Sequence, residues 1–240
     1  MKASKATAGP DRRGVLVALG GLTLVATRAL AQTPVAYDYL FLDLSSGSRP
    51  AFVSHLKTVV KPLLDTAGGE VLGLFAPQLG WASTEAALLI RWREATTGRA
   101  QTLAAITRAS QVGASRVDSL TPTLRPAASD RPAPGGIYVH RWFDVTAASV
   151  AEFIELSGQG WKDFESRFAT KIFGLFQTAR SAEDQRRDVT RLLLITRYDS
   201  HAVWEASRDP TTEGMTIFQR RQQLTRGSKA ASSLWSDPMA

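Results

Sequence analysis

The chain has no cysteine, and only three histidines and three methionines among its 240 residues. Without cysteine there is no thiol nucleophile, no iron–sulfur ligand and no cysteine-rich zinc site. Disulfides are excluded too, so a fold of this length must rest on its buried core alone. His55, His140 and His201 show no short ligand spacing, which leaves no basis for a metal site. There is no Cys-x-x-Cys-His signal for attached haem and no Gly-x-Ser-x-Gly elbow, and the serines gather in turns. No apolar run reaches the length of about 20 residues that crosses a membrane as a helix.

The longest apolar run lies near the N-terminus. A polar, basic start to Pro10 leads into Asp11-Arg12-Arg13-Gly14, apolar residues continue to Ala26, and Ala29-Leu30-Ala31 precedes Gln32. This is the layout of a cleaved signal peptide over residues 1–31, cut between Ala31 and Gln32. Arg12-Arg13 with Leu16 resembles a twin-arginine export signal, with Val15 where Phe is usual and Asp11 where Ser or Thr is usual. An ordinary secretory signal and a retained anchor are the alternatives. The implied location is periplasmic or secreted, with no stable membrane insertion after cleavage. Removing five basic residues and Asp11 takes the net charge from +7 to +3. The basic balance therefore belongs largely to the leader, and nucleic acid is not an expected partner.

Downstream the hydrophobic periods alternate between those of strands and helices. Residues 37–44 read as a strand. A helix then starts at Pro50 with Phe52, Leu56, Val60 and Leu64 on its apolar face, kinked by Pro62 and stopped at Gly68-Gly69. Strands over 71–75 and 85–93, a weak helix over 101–109 and a short strand over 117–124 complete a β-α-β-β-α-β order. Pro122 to Pro134 reads as a linker, and the pattern then restarts. Strand 137–145 is followed by helix 147–168, strands 171–178 and 189–198, a helical region 201–226 and a last strand over 232–235. A shift of 101 residues aligns 37–75 with 138–176 without a gap, and eight of those 39 positions are identical. Among them are Tyr37 with Tyr138, Phe52 with Phe153, and Gly73-Leu74-Phe75 with Gly174-Leu175-Phe176.

Each unit has the order of a ferredoxin-like split fold, with helices on one face of an antiparallel sheet. The bare faces must be buried, and two tandem copies achieve this by packing sheet to sheet. The expected architecture is α+β: a first repeat with linker over 32–130 and a second over 131–240, joined as a dimeric α/β barrel. Strand parity then places Tyr37, Tyr39 and Phe41 opposite Tyr138, His140 and Trp142 around an inter-sheet cavity suited to a small, partly apolar ligand.

Three features carry a family resemblance: the strand Tyr138-Val139-His140-Arg141-Trp142-Phe143, the strand Arg191 to Tyr198 leading into a Trp-containing helix, and an Arg-rich terminal helix. With the tandem repeats, they make the mature chain similar to the NIPSNAP family of dimeric α/β barrels. Val139 and His140 depart from the acidic and aliphatic residues usual there. The resemblance implies a fold and no agreed catalytic residues, and the wider superfamily includes cofactor-free monooxygenases and haem enzymes.

His140 is the sharpest candidate in the cavity, as a general base, a haem ligand or a buried histidine satisfied by a hydroxyl. The tyrosines are ligand-orienting groups or core packing with a polar tip. Arg141 points to the helix layer, where an ion pair with a helix carboxylate is expected. Arg197 is placed at a cavity mouth as an anion contact or a solvated strand end. Gly73 and Gly174 read as bulges or close-packing points. No cofactor is expected, with haem through His140 or His201 kept open. The alternatives to ligand binding are an oxygenase or haem enzyme using His140 and a partner-binding helix over Met215–Arg226. A homo-oligomer is compatible with the fold. N-terminal sequencing of the exported protein is expected to begin at Gln32, and Lys at positions 12 and 13 should hold the precursor in the cytoplasm. Undiminished export of that variant would assign the general secretory route instead.

Overall fold

The first strand of each half sets the layering, because its two faces carry different residues. The computed structural model describes residues 35–45, 47–93 and 97–240. The expected signal segment and its cut at Ala31 and Gln32 lie outside them. Strand β1 (Ala36–Leu44) sends Tyr37 and Tyr39 to one side and Leu40, Leu42 and Leu44 to the other. Its counterpart β5 (Ile137–Thr146) sends Tyr138 inward and Ile137, Val139, Phe143 and Val145 outward. Side chains alternate along a strand, so two apolar faces demand cover on both sides.

In the first half, α1 (Arg49–His55) continues through a π-helical turn, Leu56–Val60, into α2 (Lys61–Ala67). The kink expected at Pro62 is taken up by that turn. Pro62 sits in the first turn of α2, where a missing N–H matters least. Then follow β2 (Gly69–Pro77), β3 (Glu85–Trp92), α3 (Arg99–Thr107) and β4 (Val112–Pro122). The second half continues from β5 with α4 (Val150–Arg167), β6 (Thr170–Thr178), α5 (Ala182–Arg186), β7 (Val189–Tyr198), α6 (His201–Ala206), α7 (Glu213–Gln222) and β8 (Thr225–Ser236).

The halves have the same strand order, β4-β1-β3-β2 and β8-β5-β7-β6, and their edges join to close an eight-stranded antiparallel barrel. One seam pairs β2 with β8 from Leu74↔Ser236 to Pro77↔Ser233. The other pairs β4 with β6 from Leu120↔Thr178 to Pro122↔Phe176. Three cores result: one inside the barrel and one between sheet and helices in each half. Register shifts at Gly73 and Gly174 confirm both glycines as bulges. Each bulge resets the alternation, so Leu72 and Phe75, and likewise Phe173 and Phe176, face the interior although they are three residues apart.

Two segments differ from the sequence expectation. The helical region 201–226 is two helices broken around Pro210, and the chain from Thr225 is strand. Its first residues, Arg226 to Lys229, are exposed and pair only with β5, so they lack the apolar alternation of a covered strand. The Pro-rich linker, in turn, is strapped to the barrel. Arg91 donates to the carbonyls of Ala128 and Asp130, the Tyr138 hydroxyl donates to Ala133 O at 2.6 Å, and Leu175 N donates to Arg125 O at 3.1 Å.

Gly73 also makes room at the first seam. A Cβ there would lie 2.0 Å from Nε1 of Trp235, whose indole donates to Leu72 O at 2.9 Å. Gly73→Ala is expected to cost about 1–3 kcal/mol by overpacking, read as a lower urea midpoint at unchanged slope. An unchanged midpoint would mean that Trp235 can move aside freely.

Candidate functional site

The barrel interior was expected to be hollow, and it is filled. Tyr37, Tyr39, Phe75, Tyr138, His140 and Phe176 are all at most 1% exposed. Trp81, in the turn between β2 and β3, completes the packing with Phe41 and Trp142. The imidazole of His140 sits in an aromatic box, with ring centroids at 4.7 Å (Phe75), 5.6 Å (Trp81), 5.7 Å (Tyr39) and 6.1 Å (Trp142). The contacts with Phe75 and Trp81 are edge-to-face, that with Tyr39 is tilted and that with Trp142 is stacked.

The two nitrogens of His140 are both engaged. Nδ1 is 3.0 Å from the Tyr39 hydroxyl and Nε2 is 2.8 Å from Oγ of Ser233. The Ser233 hydroxyl in turn reaches Tyr138 O at 3.3 Å. A carbonyl can only accept, so the direction of the chain is set: Ser233 donates to Tyr138 O, Nε2–H donates to Ser233 and Tyr39 O–H donates to Nδ1. Burial pushes the His140 pKa down to about 3, and burial first, with the nearby Asp118 carboxylate second, raises that of Tyr39 well above its ordinary value. The group is a neutral hydrogen-bond relay in which the imidazole has no ring lone pair free for a substrate or a metal. Haem ligation by His140 therefore does not fit. His201 Nε2 lies 3.1 Å from Ser232 Oγ. His55 Nε2 accepts nothing from its nearest partner and instead faces Ala105 O at 3.0 Å as a donor. Among the described residues, no group of three potential ligands forms.

The other expected residues are spread along the barrel. Tyr37 is buried near one end, its hydroxyl without a hydrogen-bond partner among the described residues, and its pKa is raised by burial. At the same end Arg197 donates to Gly135 O at 3.0 Å and pairs with Asp199 at 2.6 Å, so strap and strand occupy it. Phe41 and Trp142 stand at the opposite end, partly exposed, beneath Arg116 and Lys229. Sequence reasoning missed Phe75, Trp81 and Ser233. A Trp directly after Gly80, in a turn between two apolar strands, was the one available signal for a plug.

A cavity of about 200 Å³ lies elsewhere, between the outer sheet face of the second half and its helices. Its floor carries Val139 and Arg141 from β5, Ile172 from β6, and Leu194, Thr196 and Tyr198 from β7. Trp161 and Phe164 of α4, Trp204 of α6 and Phe218 and Arg221 of α7 form the walls. Arg141 does face the helix layer, as parity requires, but the ion pair expected of it is not formed among the described residues. The terminal Arg-rich stretch is split by burial: Arg220 is exposed and pairs with Glu152 at 3.0 Å, while Arg221 is enclosed. It is therefore not a single exposed binding face.

No family model matches the chain, and no curated protein matches it. Solved structures do. A putative monooxygenase from Fusobacterium nucleatum subsp. nucleatum superposes with a TM-score of 0.56 at 13% identity, over 85% of this chain and 94% of that one. An anthrone oxidase-like protein gives 0.57 at 14%, over 86% and 93%. Chlorite dismutase from Candidatus Nitrospira defluvii gives 0.57 at 10%, over 87% and 94%. At these identities the likeness is one of fold. The class is the ferredoxin-like dimeric α/β barrel, here with both halves in one chain.

The depressed His140 pKa makes stability pH-dependent. The unfolded histidine takes up a proton below about 6.5 and the folded one only near 3, so the unfolded state binds more protons between those values. Stability therefore falls on acidification, by about 1.4 kcal/mol per pH unit from this group. Urea melts between pH 6 and 4 should show a shallower slope in His140→Gln. Equal slopes in both proteins would mean that His140 is protonated in the folded state.

Proposed function

We propose that the chain is an exported α/β-barrel protein of NIPSNAP type that binds a small, partly apolar molecule. Export rests on the Arg12-Arg13 signal and its expected cut at Ala31 and Gln32, with a periplasmic or secreted destination. The NIPSNAP assignment rests on the strand motifs around Tyr138 and Arg191 and on the tandem repeats. The ligand site is the cavity beneath α4, α6 and α7, and not the filled barrel interior. One observation carries the reading: about 200 Å³ of space lined largely by apolar and aromatic side chains, whereas the space of about 310 Å³ at the barrel end beside Tyr138 and Arg197 is lined largely by charged and strap residues. An apolar cavity of about 150 Å³ is known to take up benzene.

An enzyme working through His140, as oxygenase base or haem protein, has less support. A base of pKa about 3 with both nitrogens committed abstracts no proton at neutral pH. The neighbours' names include oxygen chemistry, but no residue carries over at 14% identity or less.

The test is calorimetry on the exported chain with 1-naphthamide, a neutral probe of one fused ring pair. Binding is expected, and Met215→Trp, which fills the cavity from α7, should weaken it at least tenfold. No binding to the unmodified chain, or binding indifferent to Met215→Trp, would sink the assignment of this site.

A further inference from the structure

The same cavity is lined by three arginines, Arg141, Arg221 and the exposed Arg208, and by no acid. Arg141 and Arg221 both line it, and its lining includes no Asp, Glu or His. Arg221 is 4% exposed. Its Nη1 donates to Ser157 Oγ at 3.1 Å, and its Nε has no acceptor among the described residues. The rings of Phe218, Phe143 and Phe153 lie 4.5, 5.0 and 5.1 Å from the guanidinium carbon and soften its burial. They do not neutralise it. Burial first, and the neighbouring Arg141 second, push the Arg221 pKa down to about 9. Trp161 and Trp204, which also border the cavity, each bury an indole N–H without an acceptor. The lining is rich in donors and positive charge, its acceptors are the neutral oxygens of residues such as Thr196, Ser207 and Gln219, and it includes no carboxylate.

The fold does not require this charge. Arg141 occupies the position that Leu40 holds 101 residues earlier in the first half. Leu40 is fully buried there in the helix-side core. The most deeply buried charge described in that half, Asp38, is fully answered: Arg99 Nη2 at 2.6 Å, Arg99 Nε at 2.7 Å, Trp92 Nε1 at 2.9 Å and Ser119 Oγ at 3.0 Å. Burying a charge without a counter-ion is costly, so a buried guanidinium held by one hydroxyl, with a second, half-buried one beside it and an apolar space between them and the helices, points to a missing anion.

We propose that the cavity binds an organic carboxylate, with Arg141 and Arg221 meeting the carboxylate and the aromatic walls enclosing its apolar body. This rests on the reading of the cavity as a ligand site and names the class of ligand. A planar guanidinium matches a carboxylate in charge and geometry. An inorganic anion would leave the apolar walls without a partner, and a neutral molecule would leave the arginines without one. The size suits a carboxylate carrying one ring or a fused pair.

The experiment compares 1-naphthoate with 1-naphthamide by calorimetry on the full exported chain and on Arg141→Gln and Arg221→Met. The acid should bind the unmodified chain at least tenfold more tightly than the amide, and each substitution should erase that preference while sparing amide binding. Without ligand, Arg221→Met should melt at or above the unmodified temperature, because it removes an unanswered buried charge. A purely structural arginine predicts a lower melting temperature, which would count against the proposal. Arg141, half-buried at the floor, supplies a second variant if Arg221→Met does not fold. Equal affinities for acid and amide would overturn the carboxylate and leave the cavity reading in place. Binding of neither would overturn both readings, and naphthoate binding unaffected by either substitution would place the anion elsewhere and overturn the assignment.

Discussion

A four-stranded antiparallel sheet with helices on one side has an apolar face that water must not reach, and everything else here follows from how that face is covered. Each half supplies the cover for the other. The interior is then a room walled by two sheets, and its furnishing is aromatic because β1 and β5 each present rings on that side. Once the rings are packed, a histidine among them has no access to water and none of the charge that would keep it protonated. Its neutrality is a consequence of barrel closure, and so is the need to satisfy both its nitrogens internally with Tyr39 and Ser233.

Much of the fold was legible because duplication repeats its own evidence. Tyr37 and Tyr138, Gly73 and Gly174, and the alternation of β1 and β5 each appear twice, so a pattern weak in one half was supported by the other. What was not legible lacks a counterpart or a period. The start of β8 carries Arg226 to Lys229 just after Thr225, which look like any solvated helix because that end of the strand has a partner on one side only. The short α5 announces itself only by a capping box between Ser181 and Asp184. In the site, strand parity placed His140 and Tyr39 on the same side correctly, but parity cannot say whether space remains between them. That depended on Trp81, contributed by a turn, and on Phe75, whose inward direction comes from the bulge at Gly73.

The two helix-side cores show how far copies can diverge on one frame. The first is closed by aliphatic side chains from Leu40 to Leu64, with the buried acid Asp38 inside a complete set of donors. The second is built from larger rings and encloses space, and arginine stands where the first has leucine. The barrel interior is common property, since rings of the two halves meet there, as Tyr37 does Phe176 and Phe75 does Tyr138. The outer layers belong mainly to one half each, with Met239 from the C-terminus reaching the first, so a substitution there is felt mostly by that half.

The seams between the halves are short compared with the ladders within them: β5 and β7 stay in register from Ile137 to Thr146, while β4 and β6 meet over Leu120 to Pro122 alone. Two separate chains meeting along such edges would depend on concentration to stay together. Tethering them by one strap raises the local concentration of each for the other to the order of millimolar, so brief seams suffice. The tether also removes a constraint of symmetry, because the two members of a fused pair need not be identical, and one half can stay a plain support while its twin becomes specialised.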